Sequence, residues 1–178
     1  MKMLTFPLLL MPLAGCSFLG ITKYPPLDVV PQVDLNRYAG TWYEIASFPA
    51  WFQKGCFCTK AEYSLMEDGV IKVVNSCRKN SPRGEVDRVE GKAFIVPGSN
   101  NAKLRVQFFW PFRGDYWILD LDEDYSYAVV GVPSREYCWI LSRTPEMGAD
   151  LYLTLTQRLK EKGFDVSRFQ RTLQTCAD

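Results

Sequence analysis

From Thr41 onward the chain is dominated by short runs in which apolar and polar residues alternate. In residues 59–66, Thr59, Ala61, Tyr63 and Leu65 fall on one side of an extended backbone, with Lys60, Glu62 and Ser64 on the other. That is the period of a strand with one buried face. Asp68-Gly69 marks a hairpin turn and 70–75 the returning strand. The same reading predicts strands at 41–48, 86–96, 102–109, 115–121, 126–131 and 137–142, punctuated by 98–101, 110–114 and Pro133-Ser134. Eight short antiparallel strands at this spacing predict an all-β sandwich or closed barrel. Only one segment has helical period: Leu151, Leu155 and Leu159 recur at i, i+4 and i+8. Thr144 is placed to cap it, Pro145 and Glu146 suit its first turn, and Gly163 ends it after Lys160 and Lys162. A lone amphipathic helix after the last strand is expected to lay its leucines on the outside of the sheet.

The pattern ahead of the strands is different. Lys2, an apolar run over 4–13 and Leu13-Ala14-Gly15 have the layout of a signal peptide over 1–15. The run is too short for a transmembrane helix, which takes roughly 20 residues. Leu13-Ala14-Gly15-Cys16 resembles the bacterial lipoprotein box, in which cleavage leaves the cysteine as the lipidated first residue. Ser17, rather than Asp, then implies the outer membrane, with the domain facing the periplasm on an acyl (palmitate) anchor at Cys16. An ordinary secreted protein with a cysteine after its cleavage site is the alternative. Pro25, Pro26 and Pro31 without apolar period make 16–33 an extended tether, and the folded domain is expected over 34–178.

Composition narrows the function classes. With 178 residues, one domain is the default. Twenty-one basic against 20 acidic residues implies no basic face, which argues against nucleic acid as a partner. The chain has no histidine, which removes Ser-His-Asp and Cys-His catalysis and every His-ligated metal site. No catalytic set emerges and no cofactor or metal is implied. An inward-facing Glu44 would have a raised pKa, but the sequence supplies it with no partner.

Gly40-Thr41-Trp42-Tyr43 opens the first strand, "DLDEDYSY" covers 120–127, and Arg143 ends the eighth strand in "WILSRTP". In order and spacing these three motifs resemble those of the lipocalin family, specifically its bacterial outer-membrane, apolipoprotein D-like branch. The resemblance covers residues 33–175. It implies an eight-stranded antiparallel up-and-down barrel with one helix packed outside. It also places Arg143 across the Trp42 ring at the closed end, beside Gly40, leaving the other mouth open. Matching positions imply a ligand pocket of Tyr63, Asn75, Phe108, Tyr116 and Trp139. The implied ligand is a small amphiphile, a fatty acid or lysophospholipid, held for storage, scavenging or transport.

Alternation supplies a wall for such a cup: Thr59, Ala61, Tyr63 and Leu65, then Val89, Gly91, Ala93 and Ile95, then Leu104, Val106 and Phe108. These faces could equally fill a solid core. In "FFWPFRGDYW" (108–117), Phe109, Trp110 and Phe112 are expected to pack at a barrel end. The alternative is an exposed apolar patch, and the resemblance places this connection at the open mouth.

Five cysteines besides Cys16 allow fifteen ways to make two bridges. The Asp68-Gly69 hairpin brings Cys77 near both Cys56 and Cys58, and its register permits either. The resemblance implies Cys56–Cys77 and Cys58–Cys176, leaving Cys138 free. Two other readings remain: a scaffold lipoprotein with a filled core, and a thiol redox enzyme using Cys56 and Cys58. The oligomeric state, a dimer included, is left open.

Overall fold

The computed structural model describes residues 24–176. The expected signal peptide and the lipidated Cys16 lie outside the described residues. Eight strands follow in sequence: β1 (Gly40–Ser47), β2 (Cys56–Leu65), β3 (Ile71–Lys79), β4 (Val86–Ile95), β5 (Lys103–Gln107), β6 (Gly114–Leu121), β7 (Tyr127–Gly131) and β8 (Cys138–Ser142). Each pairs antiparallel with the next. β1 closes the ring by pairing with β2 through residues 40–43 and with β8 through 43–47. A bulge between Glu44 and Ala46 turns β1 away from β2. There a two-residue strand near the C-terminus, β9 (Gln170–Arg171), pairs with Ala46 and Ser47.

Several boundaries differ from the sequence reading. β2 begins at Cys56 and β3 runs to Lys79, because backbone pairing continues after the apolar alternation stops: Cys56 faces Lys79 and Arg78 faces Val86. The outer helix, α2 (Ala149–Glu161), starts later than the Thr144 cap predicts. The Thr144 hydroxyl instead donates to the Glu146 carbonyl, and the Ser142 hydroxyl accepts from the Thr144 N–H. That local turn holds the threonine away from the helix. A one-turn helix, α1 (Leu35–Tyr38), was not predicted; Asp34 caps it by accepting from the N–H of Asn36 and Arg37.

From Pro25 on, the proline-rich stretch is fastened to the barrel. Pro25 O accepts from Arg135 Nη2 at 2.8 Å, the Val30 N–H donates to Ile118 O, and the Val33 N–H donates to Asn100 O. Leu27 and Val33 are buried. The folded unit therefore begins before residue 34, because these apolar side chains fall where the barrel offers them a surface.

Two apolar layers result. Trp42, Tyr63, Val73, Ala93, Leu104 and Ile118 belong to the cluster inside the barrel. Leu155 and Leu159 of α2 pack with Ile45, Val129 and Ile140 on the outer face. Alternation puts Trp139 and Leu141 of β8 inward and Cys138 and Ile140 outward. The up-and-down order also sorts the connections. Those at 48–55, 80–85, 108–113 and 132–137 share one end, the mouth. α1 and the remaining turns close the other.

Candidate functional site: the barrel interior and its two ends

The three motifs meet at the closed end. The Arg143 guanidinium lies 3.8 Å from the Trp42 ring centroid and donates to the carbonyls of Thr41, Arg37, Tyr38 and Tyr125. Gly40 has φ +96°, and a Cβ there would sit 3.3 Å from Arg143 Nη1. The backbone can approach the arginine because the residue is glycine. Trp42 Nε1 donates to Tyr38 O. The 120–127 motif adds the rest. The Tyr125 hydroxyl accepts from the Asp34 N–H, Arg37 stacks on the Tyr125 ring, and Asp120 accepts from Arg158 of α2. Asp122 accepts from the Ser126 hydroxyl and N–H, which hold its carboxyl below the ordinary range. These residues build and close the cup.

Above that floor, three tyrosines converge. Tyr116 Oη lies 2.7 Å from Tyr38 Oη, and the Tyr63 hydroxyl donates to Tyr116 Oη at 2.9 Å. Burial drives all three phenols above their ordinary value, Tyr63 to about 12, so they are neutral donors at any physiological pH. Among the described residues, three hydroxyl protons serve two bonds, so one is left for another acceptor. On β3, facing Ala61 across the ladder, Asn75 buries its Oδ1 with no hydrogen-bond partner among the described residues. Orphan buried acceptors are uncommon, since each costs about 1–3 kcal/mol.

Of the five expected pocket residues, Tyr63 and Tyr116 are thus in direct contact. Phe108 and Trp139 pack against the same interior cluster. Phe108 covers Gly91, where a Cβ would come within 2.7 Å of the ring. Asn75 contributes its unpaired carbonyl oxygen. Of the expected wall, Leu65 and Ile95 are exposed at strand ends.

Sequence reasoning left Glu44 without partners, and the structure provides them. Its carboxylate accepts from Gln53 Nε2 at 2.7 Å, from Ser47 Oγ at 3.0 Å and from the Thr172 hydroxyl. Burial raises its pKa; the donors from Thr172, Gln53 and Ser47 oppose that rise. Gln53 also accepts from Trp139 Nε1 at 3.0 Å, linking a ring packed on the interior cluster to the 48–55 loop and the buried carboxyl. A crevice of about 500 Å³ opens here between that loop and the C-terminal segment, lined among others by Glu44, Thr59 and Thr172. Gln174 bridges the splayed strands by donating to Glu44 O and Thr59 O.

Cys56 is bonded to Cys77 and Cys58 to Cys176, and Cys138 is a buried free thiol. The bridge to Cys176 pins the C-terminal segment across the β1–β2 gap, where the Cys58 N–H donates to Leu173 O. Cys56 and Cys58 are committed to different partners, which overturns the reading of them as one dithiol pair. A second expectation also fails. Phe109, Trp110 and Phe112 do not pack at the barrel end; they are exposed, because Phe108 alone turns inward from this connection.

An up-and-down barrel of eight antiparallel strands, with one end closed by stacked side chains and polar groups converging inside, is the architecture of a calyx. The family model of the lipocalin-like domain matches residues 33–174. Temperature-induced lipocalin-1 of Arabidopsis thaliana is 42% identical over 164 residues, covering 87% of each chain. Outer membrane lipoprotein Blc of Escherichia coli K12 is 42% identical over 147 residues, covering 82% of each. Mouse apolipoprotein D is 37% identical over 166 residues, covering 88% of this chain and 85% of its own. Among solved structures, insecticyanin from the tobacco hornworm Manduca sexta superposes with a TM-score of 0.67 at 25% identity, covering 84% of this chain and 85% of that one. The chain belongs to the lipocalin family.

Proposed function

We propose that this lipocalin binds a small amphiphile, a fatty acid or lysophospholipid, inside its barrel and catalyses no reaction. The observation that carries the reading is the placement of unspent hydrogen-bonding capacity within an apolar enclosure. Among the described residues, Tyr38, Tyr63 and Tyr116 leave one hydroxyl proton over, and Asn75 Oδ1 has no donor. An apolar interior with a few convergent polar groups suits an acyl chain with a polar head. A free hydroxyl of a lysophospholipid could donate to Asn75, and a head-group oxygen could accept from the tyrosines. Phe108 and Trp139 would flank the chain.

The anchoring reading is carried by sequence. The box at Leu13-Ala14-Gly15-Cys16, with Ser17 after it, supports lipidation and an outer-membrane, periplasm-facing location, as does similarity to a relative named an outer membrane lipoprotein. Titration of the delipidated chain with oleate and with lysophosphatidylethanolamine, followed by calorimetry, tests the binding reading. Saturable binding of one ligand per chain is expected, weakened by Asn75→Leu and Tyr116→Phe. No heat with either amphiphile would favour a filled-core scaffold instead.

A further inference from the structure

Large exposed rings gather on two mouth connections. Trp51 and Phe52 stand on the 48–55 loop, and Phe109, Trp110 and Phe112 on the 108–113 loop. Trp110 is 87% and Trp51 82% exposed, far beyond what solitary surface apolar residues need explaining. In the ring of eight strands, β1–β2 and β5–β6 are half a circuit apart. The two aromatic groups therefore stand across the opening from each other. A broad surface laid over the mouth meets both, whereas a peptide in a groove would meet one. Both loops carry a cation, the exposed Lys54 or Arg113, and neither carries a carboxylate. Tryptophan with neighbouring Lys or Arg is the side-chain chemistry of a membrane–water interface.

The N-terminal segment gives an independent bearing. Pro25 is held by Arg135, whose guanidinium also lies 5.1 Å from the Tyr24 ring centroid, and Arg135 belongs to the 132–137 connection. The chain thus leaves the described structure at the mouth end. Cys16 is eight positions before Tyr24. At 3.3–3.6 Å per extended residue its reach from there is at most about 29 Å. An anchor at Cys16 and the aromatic loops would serve the same end of the molecule.

We infer that the mouth of this barrel docks on an anionic phospholipid bilayer, through Trp51 and Phe52 on one side and Phe109, Trp110 and Phe112 on the other, with Lys54 and Arg113 meeting head-group phosphates. A mouth seated in this way passes an acyl chain between bilayer and barrel without exposing it to bulk water. The ring placement and charge carry the inference without the anchor; the transfer role rests on the proposed amphiphile binding.

The test uses the chain from Ser17, which has no anchor cysteine and keeps every described residue. It is mixed with sedimentable vesicles of phosphatidylethanolamine and phosphatidylglycerol (3:1), or of phosphatidylcholine alone. The chain is expected to pellet with the anionic vesicles, with a blue shift in tryptophan emission, and less with phosphatidylcholine. Trp110→Ser with Phe112→Ser should cut the partition coefficient by about tenfold or more at an unchanged Tm, and Lys54→Glu with Arg113→Glu should abolish the preference for anionic lipid. No pelleting, or equal pelleting of wild type and ring variant, would overturn the inference. So would a mass of two chains in solution that the ring variant reduces to one, since a second copy would then be what covers the mouth. Calorimetry with the ring variant separates the two proposals: loss of vesicle binding with retained ligand binding is the expected split. Vesicle binding by a wild type that takes up no amphiphile would sink the proposed function and leave docking standing.

Discussion

The Arg143 guanidinium lies over the Trp42 ring, 3.8 Å from its centroid, and reaches four backbone carbonyls around it. One side chain just past the last barrel strand thereby ties together the start of the first strand, the helix turn before it and the 122–126 turn. Arg143→Ala should destabilise the fold by about 3 kcal/mol or more, since charge-assisted hydrogen bonds and a cation–π contact are lost together. Arg143→Lys should recover only part of that, because an ammonium has neither the planar face nor the fork of donors. Urea denaturation of the three proteins checks the order; equal stability of wild type and alanine variant would contradict it.

Asn75 buries an acceptor, its Oδ1, that no donor among the described residues satisfies. Replacing it with leucine should raise stability by about 1 kcal/mol, through removal of a buried unpaired group. The same change should weaken amphiphile binding by about tenfold. Opposite signs on stability and affinity mark a residue kept for a ligand. A variant both less stable and unaltered in affinity would make Asn75 a packing residue.

Glu44 gives a pH dependence with a definite sign. Its folded pKa is raised above the ordinary value of 4.5, so the native state favours the protonated carboxyl. Its stabilising contribution is complete below about pH 4.5 and is lost as pH rises through the folded pKa. Glu44→Gln stays neutral and can still bond Ser47, Thr172 and Gln53. The Tm of wild type relative to this variant should therefore fall between pH 4 and pH 8. A difference that stays constant over that range would show that the carboxyl titrates alike in both states.

Much of the barrel was legible because its strands alternate, and alternation is a local property. β2 around Tyr63 and β5 around Leu104 could be oriented from neighbours alone. Leu27 and Val33 have no period of their own, and only the finished barrel shows where they pack. Thr144 had the chemistry of a cap, and a local turn with Ser142 and Glu146 took it. The site was harder still. Glu44 draws its donors from Ser47, Gln53 and Thr172, and the last of these is 128 residues away. No spacing rule connects them. The tyrosine cluster likewise joins Tyr38, Tyr63 and Tyr116 from three elements, and Tyr38 sits on a helix turn the apolar pattern did not mark.

Cys138 is enclosed between the sheet and α2, and burial pushes its thiol up, away from the reactive thiolate. In the oxidised chain from Ser17, a thiol reagent should find nothing under native conditions and one thiol per chain in denaturant. A reactive thiol in the native protein would contradict either the burial of Cys138 or the two bridges.

Native mass spectrometry of the chain from Ser17, recorded before and after organic extraction, tests the central claim most directly. Binding within the barrel predicts extra mass of one amphiphile per chain that extraction removes. It also predicts that the mass returns when oleate or lysophosphatidylethanolamine is added, and that Trp139→Ala or Asn75→Leu retains less of it. A bare protein before extraction that stays bare with both amphiphiles would contradict the account.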